Sequence, residues 1–266
     1  MSQKHYDVAV LGATFLGIGA ALSLKNVVMI EKGGLFGEEF VNSYKVCKPK
    51  DVKPETRLGN DFLCDLKKRG LVSESGEIYP APAVYVVSSY LEKNPIDILL
   101  MTEVIRIEKI EGYYQITVYH TGGFERILAK RIIDTTAIGV GYNAEGQAVP
   151  MEKSLNAIVY NPDGKQLDGL TFNAQTGLYT YTLPVDLHAS RHDAVESLCA
   201  GEKIFEENNM RISSIASDFA YTMEPIHKVI DSYFVWDPST AYDNLVEAFD
   251  RGAQIAEEYR SQEERV

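Results

Sequence analysis

The stretch YDVAVLGATFLG, residues 6–17, has the residue types of a turn that binds the phosphates of a nucleotide. A dinucleotide fingerprint reads G-x-G-x-x-G after a buried strand, and Gly12 and Gly17 occupy its first and third glycine positions. Gly12 lets the chain turn sharply, and Gly17 lets the following helix pack closely on the sheet. Thr14 replaces the middle glycine. Its Cβ narrows the approach of a pyrophosphate, but its hydroxyl can cap the helix or contact a phosphate.

An acidic residue at the end of the next apolar run completes the pattern. Glu31 lies 19 residues after Gly12 and directly follows Val27–Ile30. A carboxylate here can accept hydrogen bonds from both hydroxyls of an adenosine ribose, and it would repel a 2′-phosphate. The amide groups and positive dipole end of the first helix suit a pyrophosphate. The alternative interpretation is a tight βα turn in an unrelated α/β protein.

The elements that must position this turn form a βαβ unit. The apolar run Val8–Leu11 predicts a strand buried on both faces, followed by a helix over about 14–25 and a second strand over 27–30. Turns at 111–112 and 121–123 predict three strands joined by hairpins, and residues 131–134 predict a further buried strand. From about residue 144 the pattern predicts antiparallel strands, then a helix over about 191–208 and a C-terminal helix over about 241–260.

Composition and charge argue against two classes of partner. The 266 residues are 45% hydrophobic, and the net charge is −12. Nucleic acid and anionic lipid would repel such a chain, so we expect a small-molecule substrate and neither nucleic acid nor a membrane. The three cysteines are widely spaced and the N-terminus does not resemble a signal peptide, so we expect a cytoplasmic protein without metal. The sequence does not determine the oligomeric state.

Three segments resemble the FAD-dependent oxidoreductases with the glutathione-reductase-like, two-dinucleotide-binding-domain fold. The first is residues 6–37, in which Glu31, Lys32 and Gly37 match the E-K-x-x-x-x-G segment of that family. The second is RIIDTTAIG, residues 131–139, which resembles a strand and turn near the adenosine, with Ala137 and Ile138 in place of a glycine and an acid. The third is ISSIASDFAYTMEP with the C-terminal helix after it.

The resemblance implies an α/β fold: a Rossmann-like FAD-binding domain with a three-stranded β-meander, and a small antiparallel β-rich substrate domain. The FAD-binding domain would comprise residues 1–143 and 211–266, and the putative substrate domain residues 144–210. Asp218 would bond the ribityl chain of FAD, although Ser217 replaces the usual glycine before it. The implied cofactor-binding residues are Gly12, Ala13, Thr14, Phe15, Leu16, Gly17, Glu31, Lys32, Gly37, Thr136 and Asp218.

The activity that the resemblance implies is hydride transfer between FAD and an unidentified small molecule. The loop and meander after Glu31 favour FAD over NAD, because an NAD dehydrogenase would continue with alternating strands and helices. Two alternatives stay open: a non-catalytic protein that binds FAD or an adenine nucleotide, and an NAD-dependent dehydrogenase. The sequence does not indicate the electron acceptor or whether the flavin is bound covalently.

No catalytic residue follows from a motif, and three side chains are candidates. His188 and Arg191 lie together in LHASRH, and His227 lies in MEPIHKVI. An arginine can hold a carboxylate through two hydrogen bonds, and a histidine can move a proton near neutral pH. The alternative for the first pair is a capped helix start with Ser190 as the N-cap. Cys47 has no partner cysteine at short spacing, so no redox role is expected.

Overall fold

The computed structural model describes residues 4–47, 50–139, 151–174 and 176–263. These residues form two β-sheets with helices packed on them. The elements follow in the order β1 (Lys4–Leu11), α1 (Phe15–Leu22), β2 (Val27–Ile30), α2 (Glu38–Val41), α3 (Arg57–Lys68), α4 (Pro80–Leu91), β3 (Asp97–Leu99), β4 (Glu103–Ile110), β5 (Tyr113–His120), β6 (Gly123–Asp134), β7 (Met151–Tyr160), β8 (Leu170–Asn173), β9 (Leu178–Val185), α5 (Arg191–Ala200), α6 (Glu202–Glu207), β10 (Arg211–Ile215), β11 (Ala220–Met223), β12 (Lys228–Asp231), β13 (Phe234–Trp236), a 3₁₀ helix (Ser239–Ala241) and α7 (Leu245–Glu263).

The first sheet is built around β1. Its strands follow the order β12-β13-β6-β1-β2-β3, and β1 pairs in parallel with both β2 and β6. The meander β4-β5-β6 branches from this sheet, because the first half of β6 pairs with β5 and the second half with β1 and β13. The strand predicted at 131–134 is therefore the end of β6, which runs without a break from Gly123 to Asp134.

The two faces of β1 pack against different layers. Val8 and Val10 contribute to a core shared with α1, α3, α4 and α7, whereas Ala9 and Leu11 belong to the core that includes the meander. Alternate residues of a strand point to opposite faces, so the continuous apolar run reflects burial on both sides. Strand β1 thus ends inside the molecule, and the turn that follows it is surrounded by protein.

Helix α1 packs directly on α7 where each helix carries a glycine. A Cβ at Gly19 would lie 2.0 Å from the carbonyl oxygen of Phe249, and a Cβ at Gly252 would lie 1.9 Å from the carbonyl oxygen of Leu16. No carbon atom can approach an oxygen so closely without a covalent bond, so a side chain at either position would separate the helices. This contact holds the start of α1 in place.

The second sheet is antiparallel, with the order β10-β7-β9-β8 and β11 also paired with β7. Helices α5 and α6 cover one face, where Leu155, Leu198 and Phe205 share a buried cluster. The predicted fold class is confirmed by this architecture. The predicted domain boundary at 143–144 lies outside the described residues, and the boundary at 210–211 stays a prediction, although β10 and β11 pair within the second sheet.

Candidate nucleotide-binding site

The fingerprint turn has the geometry that its glycine predicts. Gly12 has a φ of +95°, which a residue with a side chain rarely adopts, and a Cβ there would lie 2.8 Å from Thr135 Oγ1. Thr14 is the N-cap of α1, and its hydroxyl accepts the Gly17 amide hydrogen at 2.9 Å. The same hydroxyl lies 2.8 Å from Thr135 Oγ1. Thr14 therefore caps the helix, whereas a glycine at this position would leave more space for a ligand to approach the turn.

Glu31 lies against this turn from the end of β2. One carboxylate oxygen accepts the Ala13 amide hydrogen at 2.8 Å, and the other accepts the Gly33 amide hydrogen at 2.7 Å. The carbonyl oxygen of Ala13 accepts the amide hydrogen of Gly37 at 2.8 Å. Glu31 is half-buried, and each carboxylate oxygen has lone pairs beyond the one used here. It can still accept hydrogen bonds from the hydroxyls of a ribose.

A second carboxylate occupies the start of α1. Glu39 Oε1 accepts the Phe15 amide hydrogen at 2.7 Å and the Ser239 hydroxyl hydrogen at 2.8 Å. The Leu16 amide in turn donates to Ser239 Oγ at 3.4 Å. The amide hydrogens of residues 15–17, which a helix start offers to an anion, are all held by protein oxygens.

Glu39 is in an apolar environment that disfavours its charge. Burial raises its pKa to about 7, against the opposing effect of the hydrogen bonds from Phe15 and Ser239. Its second oxygen, Oε2, is buried and has no hydrogen-bond partner among the described residues. A buried carboxylate oxygen without a donor is costly. Among the described residues, hydrogen-bond donors therefore hold the Glu39 side chain through Oε1 only.

Other buried polar atoms near this carboxylate also lack partners within the described part of the chain. They are Thr240 Oγ1 and Asn244 Nδ2, which follow Ser239 in the sequence, and Asn156 Oδ1 on β7. Native proteins leave few such atoms unsatisfied, and a bound ligand is one ordinary explanation. The segment 239–244 therefore has the character of a ligand-binding surface.

The residues present fit the two ends of an adenine dinucleotide to different degrees. The adenosine end fits, because Glu31 is fixed at the turn and keeps free lone pairs. At the diphosphate end, the Phe15 amide already carries an anionic side chain, that of Glu39. A diphosphate would fit at that amide only if the Glu39 carboxylate moved away.

A cavity of about 430 Å³ lies between the loop after α2, the start of α4 and one face of the second sheet. Its lining includes Phe40, Tyr44, Tyr79, Ile158 and Thr180. The Asn156 amide group donates to the carbonyl oxygen of Ser43 at 2.8 Å, which joins this sheet to the loop. The cavity has the size and the mainly apolar lining of a small-molecule site.

Lys45 also lines the cavity, but its charge is used within the protein. The side chain is buried, and its ammonium donates to the carbonyl oxygens of Thr240 at 2.6 Å, Tyr242 at 3.1 Å and Tyr221 at 3.2 Å. These three bonds tie the loop after α2 to the segment before α7. The cavity and the buried polar segment at 239–244 are therefore adjacent.

The remaining predicted cofactor residues lie at varied distances from this centre. Phe15 and Leu16 are fully buried, so only their backbone amides can serve a ligand. Thr136 donates its amide and hydroxyl hydrogens to Asp134 Oδ1, at 3.0 and 2.6 Å. Lys32 is exposed and pairs with Glu103 at 3.2 Å. Asp218 is exposed, and its amide donates to the carbonyl oxygen of Asn42 at 3.2 Å. Their roles stay predictions.

The three candidate catalytic residues are not among those that line the cavity. His188 is exposed, and Arg191 donates to the carbonyl oxygen of Ala216 at 3.0 Å. Ser190 caps α5 in a capping box with Asp193, as the alternative interpretation predicts. His227 Nδ1 lies 3.0 Å from Asp237 Oδ2, beside Arg251. Their catalytic roles stay untested predictions.

Sequence reasoning missed the residues that matter most at the start of α1. The adjacent acids Glu38 and Glu39 directly after Gly37 were the available signal, because two carboxylates beside a phosphate-binding turn conflict with its anionic ligand. No local signal marks Asn156, Thr240 or Asn244. Cys47 is buried, and burial raises the pKa of its thiol to about 12. A thiol that rarely ionises is unreactive, which agrees with the expectation that Cys47 has no redox role.

A parallel sheet covered by helices and a meander, with a glycine turn and an acid at its carboxyl edge, is the architecture of α/β folds that bind dinucleotides. No protein-family model matches the chain, and no curated protein matches it. Solved structures do. The chain is similar to p-nitrophenol 4-monooxygenase PnpA from Pseudomonas putida DLL-E4, with a TM-score of 0.64 and 14% identity, over 96% of this chain and 79% of that one.

Two further solved structures match almost throughout their own length. Glycine oxidase from Geobacillus kaustophilus has a TM-score of 0.64 and 12% identity, over 96% of this chain and 94% of that one. L-alpha-glycerophosphate oxidase from Mycoplasma pneumoniae, solved with FAD bound, has a TM-score of 0.61 and 16% identity, over 96% and 95%. The chain therefore has the fold of FAD-dependent flavoprotein oxidoreductases, and the predicted resemblance is confirmed at the level of the fold. In the described part of the chain, no helix is both long and apolar enough to cross a membrane.

Proposed function

We propose that the chain is a FAD-dependent oxidoreductase that acts on a small molecule. The observation that carries this proposal is the Glu31 carboxylate held on the fingerprint turn at 2.8 Å from the Ala13 amide. The similarity in fold to an FAD-bound oxidase extends over 96% of the chain. An acid at this position is the feature that recognises an unphosphorylated adenosine ribose.

The residues of the turn divide the work of holding the cofactor. Glu31 would accept hydrogen bonds from the ribose hydroxyls, and the start of α1 with Ser239 would face the diphosphate. The unpartnered polar atoms of Thr240 and Asn244 would form hydrogen bonds with the ligand. Bound FAD would supply the acceptor or donor of a hydride.

The 430 Å³ cavity is the proposed substrate site. Of the lining residues that the structure describes, Lys45 is the one with a full charge, and that charge is already directed at three carbonyl oxygens. The Ser214 hydroxyl donates to the Tyr44 hydroxyl at 3.0 Å, and this pair, together with the Thr180 hydroxyl, would orient a ligand. A neutral, mainly apolar molecule with one or two polar groups suits such a lining.

A non-catalytic nucleotide-binding protein is the second candidate, and one observation favours it. Among the described residues, the lining of the cavity contains no histidine, aspartate or glutamate, so none of them offers an ordinary general base to the proposed substrate. Such a protein would keep the turn and Glu31 for binding, with no turnover. An oxidoreductase that relies on the cofactor alone for hydride transfer needs no such base, so both candidates are open to test.

Spectroscopy of the purified chain distinguishes these functions. We expect the protein, as isolated or after incubation with FAD, to show flavin absorbance at about 450 nm. Anaerobic bleaching of that band by a neutral small molecule would support the oxidoreductase, and stable colour with every compound of this class would favour the non-catalytic binder. A protein that binds no FAD, and gains thermal stability with NAD⁺ instead, would overturn the proposal.

A further inference from the structure

We infer that the Glu39 carboxylate is a built-in competitor for the diphosphate of the cofactor, because it occupies the helix amide that the diphosphate would bind. This inference rests on the proposed function. It implies two arrangements of the site: one in which Glu39 holds the start of α1, and one in which the nucleotide does.

The geometry places Glu39 where an anionic ligand would lie. Its Oε1 atom is 2.7 Å from the Phe15 amide nitrogen, a distance typical of a charge-assisted hydrogen bond. The Ser239 hydroxyl, which is 3.4 Å from the Leu16 amide nitrogen, donates to the same oxygen. Amide and hydroxyl donors of this kind bind phosphate oxygens equally well.

Helix capping does not account for this carboxylate. Thr14 already caps α1 through the Gly17 amide, so the helix has its ordinary N-cap without Glu39. The Glu39 Oε2 atom is buried and has no partner within the described residues. A group that served stability alone would be expected to satisfy both oxygens. One oxygen bound and one left unsatisfied fits a side chain that can leave.

The surroundings of Glu39 make its charge adjustable. The Glu31 carboxylate, directly after β2, acts on it as a like charge, and Glu38 is its neighbour in the chain; its own charge acts on the Cys47 thiol. A cation of this region is Lys45, whose ammonium donates to the carbonyl oxygen of Thr240 beside Ser239. Burial raises the pKa of Glu39 to about 7. Gly37, directly before α2, donates its amide hydrogen to the Ala13 carbonyl oxygen at 2.8 Å, so Glu39 displaced from the Phe15 amide would stay beside the diphosphate. The negative charge of the diphosphate would raise the pKa of Glu39 further, so FAD binding would be coupled to uptake of a proton near neutral pH.

A competitor of this kind lowers apparent affinity without changing the contacts of the bound state. The apparent dissociation constant is the intrinsic one divided by the fraction of molecules in which the site is open. If Glu39 occupies the Phe15 amide in most molecules, removal of its charge should increase the affinity for ligands that contain a diphosphate. The affinity for a ligand without phosphate should not change. This selectivity separates competition from a general change in the fold.

The test compares FAD with adenosine on the wild-type chain and two variants. Glu39→Gln keeps the size and an acceptor oxygen but removes the charge. Glu38→Gln is the control, because Glu38 accepts the Gly34 and Leu35 amide hydrogens and makes no bond to α1. FAD binding is followed by flavin fluorescence and adenosine binding by calorimetry, both at pH 8. We expect E39Q to bind FAD at least about tenfold more tightly than the wild type, with adenosine unchanged and E38Q close to the wild type.

The pH profile of the wild type gives a second readout that needs no variant. FAD affinity should rise as the pH falls from 8 to 6, over the range in which Glu39 takes up a proton, and adenosine affinity should stay level. The diphosphate of FAD has no titrating group in this range, unlike a terminal phosphate. The profile for E39Q should be flat.

The outcomes separate this inference from the proposed function. If E39Q and E38Q change FAD affinity equally, or if E39Q tightens FAD and adenosine alike, Glu39 is not a competitor, while FAD binding itself stands. A flat pH profile in the wild type would overturn the inference in the same way, even if E39Q did not fold. If neither the wild type nor E39Q binds FAD at any pH, both the inference and the proposed function are wrong.

Discussion

Two glutamates hold the same turn from opposite sides, and their surroundings give them different roles. Glu31 is half-buried at the end of β2 and accepts the Ala13 and Gly33 amide hydrogens, one on each oxygen. Glu39 lies in α2 and accepts the Phe15 amide hydrogen through one oxygen, whereas its other oxygen is buried and has no partner among the described residues. Both side chains are carboxylates within hydrogen-bond distance of the start of α1.

The difference teaches that the burial and the partners of the individual carboxylate oxygens, and not the residue type, decide what a carboxylate can do at a nucleotide-binding turn. A carboxylate whose two oxygens each accept one hydrogen bond keeps lone pairs for the hydroxyl groups of a ligand. A buried carboxylate pays for its charge in lost hydration, so it gains by taking up a proton or by exchange for another anion. Glu31 is thus suited to recognition and Glu39 to competition.

The largest expected effect would break the comparison at Glu31. Glu31→Ala should weaken FAD binding by about 3–6 kcal/mol, because two hydrogen bonds from the ribose to a charged acceptor are lost, each worth about 1.5–3 kcal/mol. Titration with FAD, followed by flavin fluorescence, measures this loss. Glu103→Ala, which removes the exposed partner of Lys32, is the control and should bind FAD normally. Equal affinity in E31A and the wild type would mean that Glu31 does not hold the adenosine.

The next effect concerns the packing of α7 on α1, the helix that follows the turn. Gly252→Ala would place a Cβ 1.9 Å from the Leu16 carbonyl oxygen, so α7 must separate from α1. We expect a loss of about 4 kcal/mol in the free energy of unfolding, measured with urea. Gly201→Ala is the matched control, since its Cβ would meet Leu198 O at an ordinary 3.4 Å. Equal stability in both variants would show that the start of α1 does not depend on this contact.

A third effect sharpens the comparison through pH. The pKa of Glu39 rises on folding from 4.5 to about 7, so the folded state binds more protons than the unfolded state in this range. Stability contributed by this group is therefore present below pH 4.5 and is lost as the pH rises through 7, by about 3 kcal/mol in all. Urea unfolding at pH 5 and pH 8 should show this fall in the wild type and lack it in Glu39→Gln. The same slope in both proteins would place the titrating group elsewhere.

The smallest effect separates the cap of α1 from both glutamates. Thr14→Ala removes the oxygen that accepts the Gly17 amide hydrogen, and it should lower the free energy of unfolding by about 1 kcal/mol. Thr14→Ser keeps the hydroxyl and should lose much less. Thermal or urea unfolding of the three proteins measures the difference. An unchanged T14A would indicate that Glu39 and Ser239 suffice to hold the helix start.

Much of the nucleotide-binding unit could be predicted because its signals are local. The apolar run Val8–Leu11 predicted β1, and the turns at 111–112 and 121–123 predicted where β4 ends and where β5 begins and ends. Element ends and continuity were harder. The single helix predicted over 191–208 is two helices that meet at Gly201, and α7 begins at Leu245 because a 3₁₀ helix precedes it. Strand pairing decided that β6 continues past Lys130, which no property of the local sequence indicates.

The sequence by itself determined the turn and its acid: Gly12, Gly17 and Glu31 are close along the chain, and their spacing already requires a strand, a turn and a helix. Only the tertiary structure decided the role of Glu39, which bonds Phe15 across 24 residues and Ser239 across 200 residues. Glu38 and Glu39 are the same residue type at neighbouring positions, yet of the two only Glu39 bonds the start of α1 and has a buried carboxylate oxygen without a partner among the described residues. Burial and the donors around a carboxylate arise when distant layers pack together, so no local pattern could distinguish these two residues.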